Sequence, residues 1–159
     1  MSFCLDLQPD RGFFARMQHV LLKSKIHRAC VIVADVDYEG SIEIPSDLME
    51  AAGIWEGERV LVTSASKGGR LETYAQAGEP GTGKIIMNGG AAHIIKAGER
   101  ITIMSFAISE NPILPKKIVC NELNEVIRRV NWVIELIHAN LNLPSKALIR
   151  VFTRCSHLT

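Results

Sequence analysis

The stretch ACVIVADVDYEGSIEI, residues 29–44, places two strand-like segments on either side of a glycine and a serine. Residues 29–37 form an almost continuous apolar run rich in β-branched side chains, which predicts a strand buried on much of both faces. Residues 42–44 predict a second, short strand. The simplest interpretation of Gly40-Ser41 between them is a turn, since both residue types are common in turns.

Further short strands follow along the chain, separated by glycine- and proline-containing turns. A short helix is predicted over residues 47–53, with Ser46 as its N-cap and Gly53 as its end. The other predicted strands are residues 59–66 and 70–77, paired as a hairpin, and residues 84–87 and 100–108. Many short strands at this spacing favour a closed β-barrel over a layered α/β sheet. The predicted fold class is therefore mainly β, with short helices.

The end of the chain has a different pattern. Over residues 124–141 the apolar side chains recur every three or four positions, which predicts an amphipathic helix. These side chains are Val126, Val130, Val133, Ile134, Ile137 and Leu141. Packing of this helix against the barrel or a neighbouring subunit is favoured over a membrane surface, because its polar face has few basic residues.

Composition and charge narrow the class of protein. The chain has 159 residues, of which 47% are hydrophobic, and this length suits one domain with a substantial core. A formal net charge of +1 and scattered basic residues disfavour nucleic acid as a partner. No apolar run is long enough for a membrane span, and no signal peptide is indicated. We therefore expect a soluble protein.

The cysteines indicate the compartment. They lie far apart in the sequence and lack the paired spacing of metal ligands, so that neither a zinc site nor a disulfide framework is predicted. The four are Cys4, Cys30, Cys120 and Cys155. A reducing cytoplasm fits this pattern, and no metal is expected.

Gly40-Ser41 also allows a chemical interpretation. A serine hydroxyl can attack the preceding carbonyl, and glycine leaves that approach unobstructed. The product is an ester. Removal of the serine α-proton then expels the ester by β-elimination, which breaks the chain and leaves dehydroalanine, and hydrolysis turns this into a pyruvoyl group. The dipeptide alone is a weak signal for this chemistry.

Longer motifs around this pair resemble a known family, the pyruvoyl-dependent aspartate 1-decarboxylases. The motifs are KIHRACVIVADVDYEGS at 25–41, DLMEAAGI at 47–54, GGRLETYAQAGEPGTGKIIMNGGAAH at 68–93 and SFA at 105–107. The similarity extends over residues 17–109. It implies a double-psi β-barrel, assembly into a homotetramer, and self-cleavage between Gly40 and Ser41.

The resemblance also implies a function, the decarboxylation of L-aspartate to β-alanine and CO2 for pantothenate synthesis. Ser41 would become the pyruvoyl group, the only cofactor expected, which forms a Schiff base with the substrate amine and draws electrons as CO2 leaves. Tyr74 would return a proton to the substrate carbon. An accessory maturation factor is left open.

The family's substrate-binding residues match positions on three segments. Arg70, four residues before Tyr74 and on the same face of a strand, would bind a substrate carboxylate. Lys25 would provide a second cation, with His27 on the same strand face. Thr73 would contact substrate and hydrogen-bond the Gly40 carbonyl during cleavage.

The remaining matches are a single residue that precedes the cleavage point and a turn further along the chain. Tyr38 flanks the cleavage point, with a structural role as the favoured interpretation. A small turn would offer backbone amides to a carboxylate, and its residues are Asn88, Gly89, Gly90 and Ala91. Gly90 stands where the family usually has alanine.

The resemblance divides the chain into three parts. Residues 1–16 are expected to be an N-terminal extension, unless Met17 is the true start. Residues 17–120 are the expected decarboxylase barrel, and residues 121–159 the helical tail. Two other functions remain open from the residues alone: a non-enzymatic β-barrel binding module, and an N-terminal-nucleophile hydrolase that also cleaves before a serine.

Overall fold

The first strand is the longest of the elements that the structure describes, and it joins two parts of the sheet. The structure, a computed structural model, describes residues 17–130. Strand β1, His19–Asp35, pairs antiparallel with β6, Arg100–Ser109, over its first part. Its last part pairs parallel with β5, Ile85–Asn88. Arg28 has a φ of 65° at an irregularity in the β1–β6 register, and this bulge bends β1 from one neighbour towards the other.

The other elements are short. They are β2 (Ser41–Pro45), α1 (Ser46–Ala52), β3 (Arg59–Ser64), β4 (Arg70–Gly78), α2 (Ala91–Ile94), β7 (Lys116–Cys120) and β8 (Val126–Val130). The predicted strands 42–44, 59–66, 70–77, 84–87 and 100–108 are thus confirmed within a few residues. Strand β7 was not predicted.

Six of the strands close into a barrel. The order in the sheet is β5-β2-β4-β3-β6-β1-β7-β8, and a further pairing of β5 with β1 closes the ring. Strands β1 and β5, β2 and β4, and β1 and β7 are parallel, whereas the other neighbours are antiparallel. This mixed six-strand barrel with few short helices confirms the predicted fold class and is consistent with a double-psi barrel.

The core fills the barrel with side chains from alternate strand positions. Val60 and Val62 of β3 face inward, and Ile101 and Ile103 of β6 pack beside them without exposed surface. Complete burial of such a side chain stabilises the fold by about 1.5–3 kcal/mol. The barrel therefore provides a rigid wall on which the outward-facing residues are fixed.

Helix α1 confirms one expectation and corrects another. Gly53 ends the helix in the left-handed conformation, with φ 69°, and its N–H donates to the Glu50 carbonyl at 3.1 Å. The predicted cap, Ser46, is wrong. Pro45 holds the cap position, Ser46 is the first helical residue, and no side-chain hydrogen bond caps the helix.

The predicted C-terminal helix is wrong where the structure describes it. Val126–Val130 form β8, an extended strand antiparallel to β7. Valine and isoleucine suit a strand, and pairing with β7 satisfies backbone groups along an edge that the sequence pattern did not reveal. Residues 131–141 of the predicted helix, and the extension 1–16, lie outside the described residues. Among the helices of residues 17–130, none is long and apolar enough to cross a membrane.

Candidate active site

The Gly40-Ser41 bond lies where an exposed loop enters the barrel. Residues 35–40 are exposed, whereas Ser41, the first residue of β2, has no exposed surface. Strand β2 runs between β4 and β5, so that both neighbours contribute side chains around Ser41. The peptide bond between Gly40 and Ser41 thus joins an accessible segment to a buried one.

Two side chains hold the Ser41 hydroxyl. Its Oγ donates to Gln76 Oε1 at 3.0 Å, and it accepts from Asn88 Nδ2 at 3.0 Å. Asn88 faces Ser41 in the register of β5 and β2 and is 3% exposed. Sequence reasoning identified Asn88 and missed Gln76. The position of Gln76, two residues after Tyr74, could have identified it, because alternate residues of a strand share a face.

The turn after β5 packs against the cleavage point. Gly89 has a φ of 60°, and its N–H donates to the Asp35 carbonyl at 2.6 Å. A Cβ at this position would lie 2.9 Å from the nitrogen and Cα of Gly40 and 2.7 Å from the Tyr38 carbonyl oxygen. Only glycine fits both the conformation and the space. The Gly89 amide is thereby bound within the chain, although we expected it to face a substrate carboxylate.

The two following turn residues begin helix α2. Gly90 precedes its first turn and is exposed, and Ala91 is half-buried. A Cβ at Gly90 would meet nothing within 4 Å. Alanine at this position is therefore compatible with the fold.

Strand β4 brings the predicted tyrosine to Ser41. Ile42 pairs in parallel with Ala75, so that Ser41 and Tyr74 lie side by side one residue earlier, and Gly40 and Thr73 one residue before that. Tyr74 is 42% exposed and points outward, whereas Thr73 is half-buried on the other face. Arg70 begins β4 and is exposed on the same face as Tyr74.

Lys25 and His27 lie elsewhere on the barrel. They share the outward face of β1, as predicted, but β1 is three strands from β4 in either direction around the ring. Paired residues form one row across four of these strands, consisting of His27, Thr102, Thr63 and Arg70. Three strand spacings correspond to roughly 14 Å. A single chain therefore does not bring Lys25 and His27 together with Tyr74.

His27 is held as a neutral ring more readily than an ordinary histidine. Burial lowers its pKa, and the positive charges of Lys25, Arg28 and Arg128 lower the pKa further. Its Nδ1 lies 3.0 Å from Thr102 Oγ1. Arg128 lies on β8, within residues 121–159, which the sequence analysis assigned to a tail separate from the site. Within residues 17–130 no group of three or more His, Cys, Asp or Glu side chains could hold a metal ion.

Fold and site together define a small mixed β-barrel that buries a serine hydroxyl at a glycine–serine bond, beside an outward-facing tyrosine. The family model for aspartate decarboxylases matches residues 17–127. The aspartate 1-decarboxylase of Thermotoga sp. (strain RQ2) is 46% identical over 112 residues, which cover 70% of this chain and 98% of the relative.

Two further relatives are similar over a shorter stretch. The aspartate 1-decarboxylase of Mycolicibacterium smegmatis is 57% identical over 90 residues, covering 57% of this chain and 66% of that protein. That of Myxococcus xanthus is 53% identical over 91 residues, covering 57% of this chain and 70% of the relative. The chain belongs to the aspartate decarboxylase family.

Proposed function

We propose that this chain is an aspartate 1-decarboxylase, which converts L-aspartate to β-alanine and CO2 for pantothenate synthesis. Its catalytic group is made from its own Ser41. The observation that carries the proposal is the buried Ser41 hydroxyl, held between Gln76 and Asn88 at the Gly40-Ser41 bond. Family membership supports the substrate and the reaction.

The proposed maturation begins with an attack of Ser41 Oγ on the Gly40 carbonyl carbon. The new ester is then eliminated when the Ser41 α-proton is removed, and water converts the resulting dehydroalanine into the pyruvoyl group and ammonia. The residues present fit this chemistry. Gly89 leaves room for Gly40 where a larger residue would place its Cβ 2.9 Å from the Gly40 nitrogen, and a Cβ at Gly40 itself would meet nothing within 4 Å.

Two residues of β4 act on the substrate in this proposal. The exposed Arg70 guanidinium binds a substrate carboxylate with two parallel hydrogen bonds. Tyr74, beside Ser41, delivers a proton to the substrate carbon. When formed, the pyruvoyl group withdraws electrons from the bond to the departing carboxylate. Asn88 and Gln76 are the side chains that would hold it.

The separation of β1 from β4 supports a site shared between copies. Lys25 and His27 cannot approach Tyr74 within one chain, because two strands lie between β1 and β4 in either direction around the ring. We therefore propose a homotetramer in which Lys25 and His27 of one copy complete the site around Ser41 and Tyr74 of another. Lys25 supplies positive charge for the dianionic substrate, and the neutral His27 ring supplies a hydrogen bond.

The proposed location is the cytoplasm. Cys30 and Cys120, the two cysteines within the described residues, are free thiols. Thiols of this kind stay reduced in that compartment.

The intact mass of the purified protein tests the proposal. We expect two chains that separate at Gly40-Ser41, the second beginning with a ketone, together with release of CO2 and β-alanine from L-aspartate. Ser41→Ala should remain one folded, inactive chain, and Ser46→Ala should cleave normally. A single wild-type chain would indicate a binding module, and a second chain with a free serine amine would indicate an N-terminal-nucleophile hydrolase.

A further inference from the structure

Gln76 is the side chain that determines where the Ser41 hydroxyl hydrogen points. Gln76 Oε1 accepts this hydrogen, with 3.0 Å between the two oxygens. Asn88 Nδ2 donates to the same Ser41 oxygen at 3.0 Å. A serine hydroxyl has one hydrogen and two lone pairs. The hydroxyl hydrogen is directed at Gln76, and one lone pair of the Ser41 oxygen accepts the hydrogen bond from Asn88. The second lone pair of this oxygen is left for a reaction.

The sheet register fixes Gln76 in this place. Gln76 pairs with Glu43 across the parallel strands β2 and β4, and Ser41 is two residues before Glu43. Gln76 and Ser41 are therefore diagonal neighbours on one face, at a distance that a long side chain can span. Ser41 has no exposed surface, so the acceptor for its hydrogen must come from the protein rather than from bulk water.

We propose that Gln76 positions the Ser41 hydroxyl for the attack on Gly40 that starts chain cleavage. This inference rests on the proposed function. In the step, a bond forms between Ser41 Oγ and the Gly40 carbonyl carbon, the bond from that carbon to the Ser41 nitrogen breaks, and the hydroxyl loses one proton while this nitrogen gains one. Atoms and charge balance without another reagent.

An amide oxygen is too weak a base to keep the proton. Gln76 therefore acts by orientation: it fixes the hydroxyl hydrogen away from the attacking lone pair. Its hydrogen bond strengthens as the oxygen attacks and the hydroxyl becomes more acidic. This contribution is separate from that of Tyr74, which lies beside Ser41 and serves the later reaction with substrate.

Three full-length variants test the inference. Gln76→Met keeps the length of the side chain and removes the strong acceptor, whereas Gln76→Glu keeps an acceptor in place. Gln18→Met makes the same change at an exposed position. All chains are synthesised in the same cell extract, so that any accessory factor acts equally on each. Intact mass followed over time gives the cleavage rate, and thermal unfolding reports the fold.

We expect Gln76→Met to slow cleavage roughly tenfold or more, which corresponds to the loss of one oriented hydrogen bond. Gln76→Glu should cleave at least as fast as the wild type, and Gln18→Met at the wild-type rate. Hydroxylamine cleaves an ester but not an ordinary peptide bond. It should not cut the slow variant at residues 40–41, because the slowed step comes before the ester forms.

Other results overturn the inference. They are cleavage of folded Gln76→Met at the wild-type rate, Gln76→Glu as slow as Gln76→Met, or an ester that accumulates and is cut by hydroxylamine. If Gln76→Met does not fold, Gln76→Leu replaces it and the same comparison with Gln76→Glu decides. A wild-type chain that never cleaves overturns the proposed function and this inference together, whereas normal wild-type cleavage with an unaffected Gln76→Met overturns the inference alone.

Discussion

At the scale of single residues, the site depends on the alternation of side chains along β4. Tyr74 points outward and is 42% exposed, and Gln76, two residues later, faces the same way and contacts Ser41. Thr73, the residue before Tyr74, lies on the opposite face of the strand and is half-buried. In the proposed function, one short strand thus offers separate residues for chain cleavage and for turnover of substrate.

Tyr74→Phe should separate these two roles. The ring keeps its packing, and in the proposed mechanism the phenol oxygen has no part in the attack of Ser41 on Gly40, so the variant should cleave normally. Turnover per cleaved chain should fall by about a hundredfold to ten-thousandfold, the usual contribution of a general acid. Cleavage is measured by intact mass and turnover by CO2 release. Full activity of cleaved Tyr74→Phe would assign the proton to another donor.

At the scale of elements, two turns keep the strand ends in place. The turn between β3 and β4 is fixed by Glu99, which is 3% exposed. Its carboxylate accepts from Ser64 Oγ at 2.5 Å and from the Lys96 backbone N–H at 2.9 Å. Lys67 Nζ lies 3.7 Å from the same carboxylate. Glu99 therefore ties the hairpin that precedes Arg70 to the loop before β6.

Glu99→Gln should make the protein less stable in a pH-dependent way. The hydrogen bonds from Ser64 and Lys96, with the charge of Lys67, lower the Glu99 pKa below its usual 4.5. A lowered carboxyl pKa gives stability that is present above about pH 4.5 and is lost as the pH falls through the folded-state value. The unfolding temperature should drop by about 3–8 °C at neutral pH.

Thermal unfolding from pH 3 to pH 7 checks this prediction. The difference between Glu99→Gln and wild type should shrink as the pH falls below 4.5. Glu122→Gln is the control, because the Glu122 side chain is 83% exposed in its pair with Arg100 and should change little. A difference that stays constant with pH would mean that Glu99 stabilises the fold by packing alone.

The second turn, after β5, can be tested by a matched pair of glycines. Gly89→Ala should destabilise the protein by about 1–3 kcal/mol. Gly89 has a φ of 60°, and the Cβ that alanine adds would lie too close to Gly40 and the Tyr38 carbonyl oxygen. It should also slow cleavage, since Gly40 would be displaced. Gly90→Ala should leave stability and cleavage near the wild-type values. Denaturant unfolding measures the stability of each variant, and intact mass measures its cleavage. Equal effects of Gly89→Ala and Gly90→Ala would contradict the special role given to Gly89.

At the scale of the whole molecule, the closed ring decides which residues can meet. Closure through the β5–β1 pairing puts β1 and β4 at opposite positions among six strands. Lys25 and Tyr74 then face outward on different sides of the barrel. A second copy of the chain is the proposed way to bring them together.

Mixed assemblies test that proposal. Lys25→Ala and Tyr74→Phe chains should each be nearly inactive alone. When both are co-expressed with different tags and purified through both tags, about a quarter of wild-type activity should return, because random mixing gives that fraction of sites with both native residues. If a preparation that is shown to contain both chains is inactive, Lys25 and Tyr74 do not act together across two copies. Lys25 would then belong to the same chain's site as Tyr74 or to no site.

The sequence by itself determined the local features. A continuous apolar run predicted the second half of β1, although only Ala29 and Val31 of that run are buried and Ile32 is 45% exposed. Period-two alternation placed Lys25 with His27 and Arg70 with Tyr74 on shared faces. Glycines marked the end of α1 and the turn after β5. The motifs around Gly40-Ser41 also indicated the family. Apart from the family resemblance, which rests on several motifs, these signals depend on neighbours within a few residues, so the chain order alone contains them.

Only the tertiary structure decided which segments meet. The contact of Gln76 with Ser41 depends on the register of β2 against β4, which are more than thirty positions apart in the sequence. Strand β8 replaced the predicted start of a helix, because its pairing with β7 outweighed a helical pattern of valines that a strand also accommodates. The distance of Lys25 from Tyr74 follows from closure of the ring. Pairings between segments that are distant in the sequence determine the Gln76–Ser41 contact, the formation of β8 and the position of Lys25. No local sequence pattern encodes these pairings.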